Sequence, residues 1–64
     1  MNIKYDKEAD AMYLKFSDSE IAESDEDKPG IIIDYDKEGK IVGIELLDAS
    51  QRTDNPSSVV YEVA

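Results

Sequence analysis

Sixty-four residues with sixteen acids, seven bases and a net charge of −9 make one small domain, residues 1–64, near the lower limit for a core without staples. The chain has no cysteine and no histidine, which excludes a disulfide framework, a thiolate zinc site and the commonest general base. So large an excess of acid repels nucleic acid and anionic membranes, and it is compatible with a basic protein partner.

The first residues, Met1-Asn2-Ile3-Lys4-Tyr5-Asp6, lack the apolar stretch of a signal peptide, and the longest aliphatic run is Ile31-Ile32-Ile33. The expected location is therefore the cytoplasm, with no membrane association. Ile3 and Tyr5 flank Lys4 in a short first strand. In the next segment Met12, Leu14 and Phe16 share one side while Ala11, Tyr13 and Lys15 share the other, the period of two of a half-buried strand. The polar stretch Asp6-Lys7-Glu8-Ala9-Asp10 between them is short enough for a hairpin.

Residues 17–27 hold six acids, Asp18, Glu20, Glu23, Asp25, Glu26 and Asp27, and no base. Such a run reads as a solvated edge or loop, with a polar edge strand over residues 20–26, or as a surface that docks a partner. Lys28-Pro29-Gly30 is a turn that restarts the chain. The tetrapeptide Tyr-Asp-Lys-Glu, present at Tyr5, then recurs at Tyr35. Here Ile31-Ile32-Ile33-Asp34-Tyr35 runs into Asp36-Lys37-Glu38-Gly39, and Val42, Ile44 and Leu46 follow in register on one side. Asp36 suits the first position of a type I turn, and Gly39 supplies a left-handed residue that lets the turn match strand twist. In the first copy Ala9 stands where Gly39 does, and the insertion around Asp10 predicts a longer loop.

Past Leu47 the alternation breaks. Asp48 or Ser50 is expected to cap a single helical turn near residues 49–53, which Asn55-Pro56 ends. Residues 59–63, Val-Val-Tyr-Glu-Val, read as a last strand. The expected fold is mainly β: an antiparallel meander of five to six short strands built from two similar hairpins.

No chemistry-bearing motif stands out. Turn formation accounts for Asp6 and Asp36, and no Asp-x-Asp-x-Asp-Gly calcium pattern occurs. The serines lack a histidine partner and a nucleophile elbow, and the three glycines lie too far apart for a phosphate loop. No catalytic residue, metal site or cofactor is expected. Arg52, the only arginine, is read as bonding its own turn, through carbonyls or Asp48, or as a partner contact.

Three blocks resemble a known family. These are Tyr5-Asp6-Lys7-Glu8-Ala9-Asp10-Ala11-Met12-Tyr13-Leu14, then Gly30 to Asp36, then Val42-Gly43-Ile44-Glu45-Leu46-Leu47-Asp48-Ala49-Ser50. In this order they are similar to domain of unknown function 2283, a family of small bacterial and archaeal proteins, over residues 1–52. The resemblance implies no established activity or catalytic residue. At family level it implies an antitoxin role, because the genes tend to sit beside those of small toxin-like proteins.

Two readings follow. In the first the chain is a non-enzymatic protein-binding module, an antitoxin that meets a small basic partner with Asp18, Glu20, Glu23, Asp25, Glu26, Asp27 and Arg52. In the alternative it is a homodimeric structural module joined through Met12, Leu14, Phe16, Val42, Ile44 and Leu46. A carboxylate metal enzyme is a third and weaker reading. In both leading readings the chain alone binds no duplex or single-stranded nucleic acid, because its charge is −9 and its bases are scattered. A mobility shift at moderate salt that high salt abolishes, the signature of phosphate contacts, would contradict this.

Overall fold

A computed structural model describes all residues, Met1–Ala64. The period-two segments form five strands: β1 (Asn2–Asp6), β2 (Ala11–Lys15), β3 (Glu23–Lys28), β4 (Ile31–Tyr35) and β5 (Ile41–Leu47). One helical turn, α1 (Ala49–Arg52), follows. All pairings are antiparallel and make one sheet in the order β1-β2-β5-β4-β3. The order leaves chain sequence once. After β2 the chain passes to the far edge, forms β3, and returns through β4 to β5. The second strands of the two Tyr-Asp-Lys-Glu hairpins therefore pair at the centre, with Leu14 opposite Ile44.

Pairing fixes the faces. Ile3 and Tyr5 of β1, Met12 and Leu14 of β2, Ile44 and Leu46 of β5, and Ile31 and Ile33 of β4 stand opposite one another and share the apolar face. The other face carries Lys4, Tyr13, Lys15, Glu45, Asp34 and Ser24, with Ile32 and Leu47 among them. Among the strands and α1, substantial packing is confined to neighbouring strands, so no second sheet or long helix lies over either face. The molecule measures 33 × 31 × 19 Å, and only Met12, Val42, Ala49, Gly43 and Asp34 are buried.

The turns show why the tetrapeptide repeats. Asp6 Oδ1 accepts from the amides of Glu8 and Ala9 at 3.0 and 3.2 Å. Asp36 Oδ1 accepts from those of Glu38 and Lys40 at 2.9 and 3.0 Å. Each aspartate thus satisfies amides that the turn strips of ladder partners. The first loop is not the longer one: residues 7–10 lie between its strands, against 36–40 in the second. Asp10 itself takes the left-handed conformation, φ 50°, that Gly39 takes at φ 82° in the second loop. Aspartate tolerates this region better than most residues, and here its carboxylate is engaged elsewhere.

Three further expectations are corrected. The polar edge strand spans Glu23–Lys28 rather than residues 20–26, because Ala22 is the first residue whose amide reaches β4, at the Tyr35 carbonyl. Asp48 does not cap α1 through its side chain, since its own backbone is left-handed, φ 54°. The last strand over residues 59–63 does not form. Pro56, Ser57, Val59 and Tyr61 instead share a shallow groove with Met1, Ile3, Tyr5 and Lys7, so the tail flanks the apolar face of β1 rather than its edge. Without a ladder partner, β-branched composition alone does not make a strand. No helix is long and apolar enough to cross a membrane.

Gly39 has open space around it, so a substitution there tests backbone conformation alone. Gly39→Val is expected to cost about 1–2 kcal/mol, and Gly39→Asn much less. Equal losses in chemical denaturation would refute the left-handed assignment.

Candidate functional site

Two polar clusters and one acidic edge are the features to which a site could belong. The first cluster ties the two ends of the family blocks together. Asp10, in the first turn, accepts from the Ser50 amide at 2.9 Å, the Ser50 hydroxyl at 2.6 Å and the Tyr5 hydroxyl at 2.8 Å. Its carbonyl also accepts from the Ala49 amide at 2.9 Å. Asp10 therefore does for α1 what an N-cap does, from forty residues away. These bonds favour the charged carboxylate, with Ser50 first and Tyr5 second, and hold Asp10 below the ordinary value of 3.8. The Tyr5 hydroxyl, donating to that carboxylate, is held above its ordinary value of 10.0.

The second cluster lies on the polar face. Asp34 accepts from the Tyr13 hydroxyl at 2.9 Å and from the Ser24 hydroxyl, one on each carboxylate oxygen. Tyr13 belongs to β2 and Asp34 to β4, so the hydrogen bond spans β5. It can do so because Gly43 has no side chain there: a Cβ would run into the Tyr13 ring and come within 2.8 Å of the Leu14 carbonyl. The tyrosine roofs Asp34, which is only 9% exposed although no second layer covers the sheet. Burial first, and then the hydrogen bond to Asp34, raise the Tyr13 hydroxyl above 10.0. One oxygen of Asp34 is taken up by the adjacent strand β3 and the other by β2, two strands away, so this carboxylate joins strands.

The acids of residues 17–27 divide between a loop and β3. Asp18 pairs with Lys15 at 2.9 Å and is lowered in pKa, chiefly by that bond, and Glu20 is exposed in the loop. Glu23, Asp25, Glu26 and Asp27 lie on β3, which is exposed along its whole length and pairs only with β4. The register slips between Glu26 and Lys28, so this edge carries a bulge. Four of the six acids named from the sequence thus lie on this edge, and Asp18 and Glu20 lie in the loop before it. Arg52 sits at the β3–β4 turn, where Glu26 Oε2 accepts from the Gly30 amide at 3.0 Å, and it bonds carbonyls, as one sequence reading had it: Nε donates to Leu47 and Nη2 to Pro29, both at 2.7 Å. It fastens α1 to the β3–β4 turn. No cluster of three or more acids is arranged to hold a metal ion.

Sequence reasoning passed over Asp10 and Asp34 as joints between distant segments. A signal existed for Asp34: it is the one charged residue inside an otherwise apolar strand, Ile31–Tyr35.

Residues 2–50 match the family described as "Protein of unknown function (DUF2283)". The chain belongs to this family. Neither curated proteins nor solved structures yield a match. The DUF2283 match runs from β1 through Ser50, and so takes in all five strands and both partners of the Asp10–Ser50 joint.

The Asp10 cluster gives a pH test. A carboxylate with a lowered pKa stabilises the fold above its ordinary value of 3.8 and stops doing so as pH falls through the lowered value. The Tyr5 hydroxyl, raised, stabilises below 10.0 and ceases to as pH rises beyond that. Asp10→Asn is therefore expected to melt below the wild type across neutral pH, with the deficit shrinking at both extremes. A Tm offset that is constant across pH would show that the carboxylate charge contributes nothing.

Proposed function

We propose that the protein is a non-enzymatic protein-binding module that takes a small basic protein along β3, and that it acts as an antitoxin by covering that partner's cationic surface. The observation that carries this reading is the character of β3. It is an outermost strand with an unpaired backbone edge, it is exposed throughout, and four of its six residues are acids. A basic segment laid along it would gain main-chain hydrogen bonds and charge complementarity together. An acidic edge with a bulge also disfavours pairing with another acidic edge, so the strand selects against its own kind while remaining open to cations. Glu20 and Asp18 extend the same negative field beyond the start of β3. The toxin-directed part of the reading rests on the family-level gene association together with this charge.

The test is capture from the native host at about 0.05 M salt with mass identification of whatever is retained. The expected result is a small basic protein that about 0.5 M salt releases. The triple variant Glu23→Lys, Asp25→Lys and Glu26→Lys is expected to lose it, and co-expression of the unaltered chain is expected to relieve growth arrest caused by that partner. Retention that ignores both salt and the triple variant would overturn the assignment to β3.

A further inference from the structure

The apolar face is bordered by β3, whose Glu23 and Asp25 stand opposite Tyr35 and Ile33 at its rim, and its area is informative. The chain exposes 5039 Å². A compact monomer of 7.2 kDa is expected to expose about 4100 Å², so about 900 Å² is in excess. One side of a standard protein interface is about 800 Å². The shape agrees: the radius of gyration is 12.4 Å, where a compact chain of this length would have about 10.7 Å.

The excess is shared between the tail, where Val60, Tyr61 and Val63 are 79%, 75% and 81% exposed, and the apolar face of the sheet. Leu14, Ile31, Ile33, Ile44 and Leu46 are only half-buried, and Phe16, just past β2, is 42% exposed. The tail does not roof them, because it flanks β1, at the other side of the same face. There Val59 and Tyr61 are themselves 57% and 75% exposed, so the tail adds apolar surface beside the strands.

We propose that this face is the interface between two copies of the chain, packed sheet on sheet. The occupant follows from charge. Across β2, β5 and β4 this face carries no ionised side chain, so it offers a basic partner nothing to select. It does match a second copy of itself, since apolar surface needs no charge complement and a two-fold pairing closes the assembly. Two such faces about 10 Å apart make a β-sandwich, which supplies the second layer that sixty-four residues lack. The acids are left at the rim and outside, where salt screens the repulsion between two chains of charge −9.

Sedimentation equilibrium of the full chain decides the matter. The expected species has twice the 7.2 kDa mass and tightens as salt rises from about 0.05 to 0.5 M, the opposite of what the basic-partner reading requires of its complex. Ile44→Asp is expected to abolish the dimer but also burdens the fold, because Ile44 lies in the central strand, so Phe16→Ser is the second variant. Phe16 lies outside β2 and is partly exposed, so its variant is expected to stay folded by circular dichroism and to weaken the dimer about tenfold. The triple β3 variant is expected to dimerise at least as well as the wild type, which separates failure here from failure of the β3 reading. A folded monomer at about 0.5 mM chain and high salt, or a dimer indifferent to Phe16→Ser, would overturn the proposal.

Discussion

The pairing of β2 with β5 is the interaction on which the rest of the sheet depends. The other three strand pairs are hairpins closed by short turns, while this one joins residues about thirty apart, so its loop-closure entropy is set against it. Several non-local contacts of the structure gather on this seam. On the apolar face Met12 stands opposite Leu46 and Leu14 opposite Ile44. On the polar face Tyr13 reaches across Gly43 to Asp34 and pins β2, β5 and β4 together. At one end Asp10 holds Ser50 and Ala49, and at the other the Phe16 and Ser17 amides both donate to the Val42 carbonyl. Remove the seam and two marginal pieces remain, a lone hairpin and a three-stranded ribbon.

The same seam explains how an aspartate comes to be buried in a sheet with one layer. A carboxylate in water-poor surroundings is costly unless its oxygens are matched, and Asp34 has a hydroxyl on each. Both donors come from strands other than its own, so the desolvation of one acid is offset by fixing the lateral order of four neighbouring strands. The acids of β3 do the reverse. They stay in water, keep the outer edge from pairing with its like, and add to the field that a cationic partner would meet.

Much of this was legible in the residues. Alternation located four strands and the acidic edge, and the aspartate of each Tyr-Asp-Lys-Glu copy announced its turn. What period two cannot encode is which strand lies beside which, so the passage of the chain from β2 to the far edge was hidden. Hidden for the same reason were the roles of Asp10 and Asp34, whose partners lie forty and twenty-one residues away. Ser50 was read as a local cap because caps are normally local; here the capping carboxylate is supplied by a distant turn. The Val-Val-Tyr-Glu-Val tail misled because strand propensity records packing against a neighbour, and the segment meets a face where an edge was needed.

The three blocks that mark the family can now be assigned to physical tasks. Tyr5, Asp10 and Ser50 form the end joint; Asp6 and Asp36 form the turns; Tyr13, Gly43 and Asp34 form the crossing over β5. Gly30 packs against Arg52, which bonds the carbonyl just before it. Every polar residue in that set is occupied by another part of the same chain, so these positions of the pattern serve folding. A binding role must then be sought in what the pattern leaves free. Two surfaces qualify: the acidic run of β3, which is exposed along its length, and the apolar face, which the fold covers only in part. They differ in chemistry and answer to salt with opposite sign. One chain can therefore use both at once, closing its sheet against a copy of itself while each copy still offers an acidic edge.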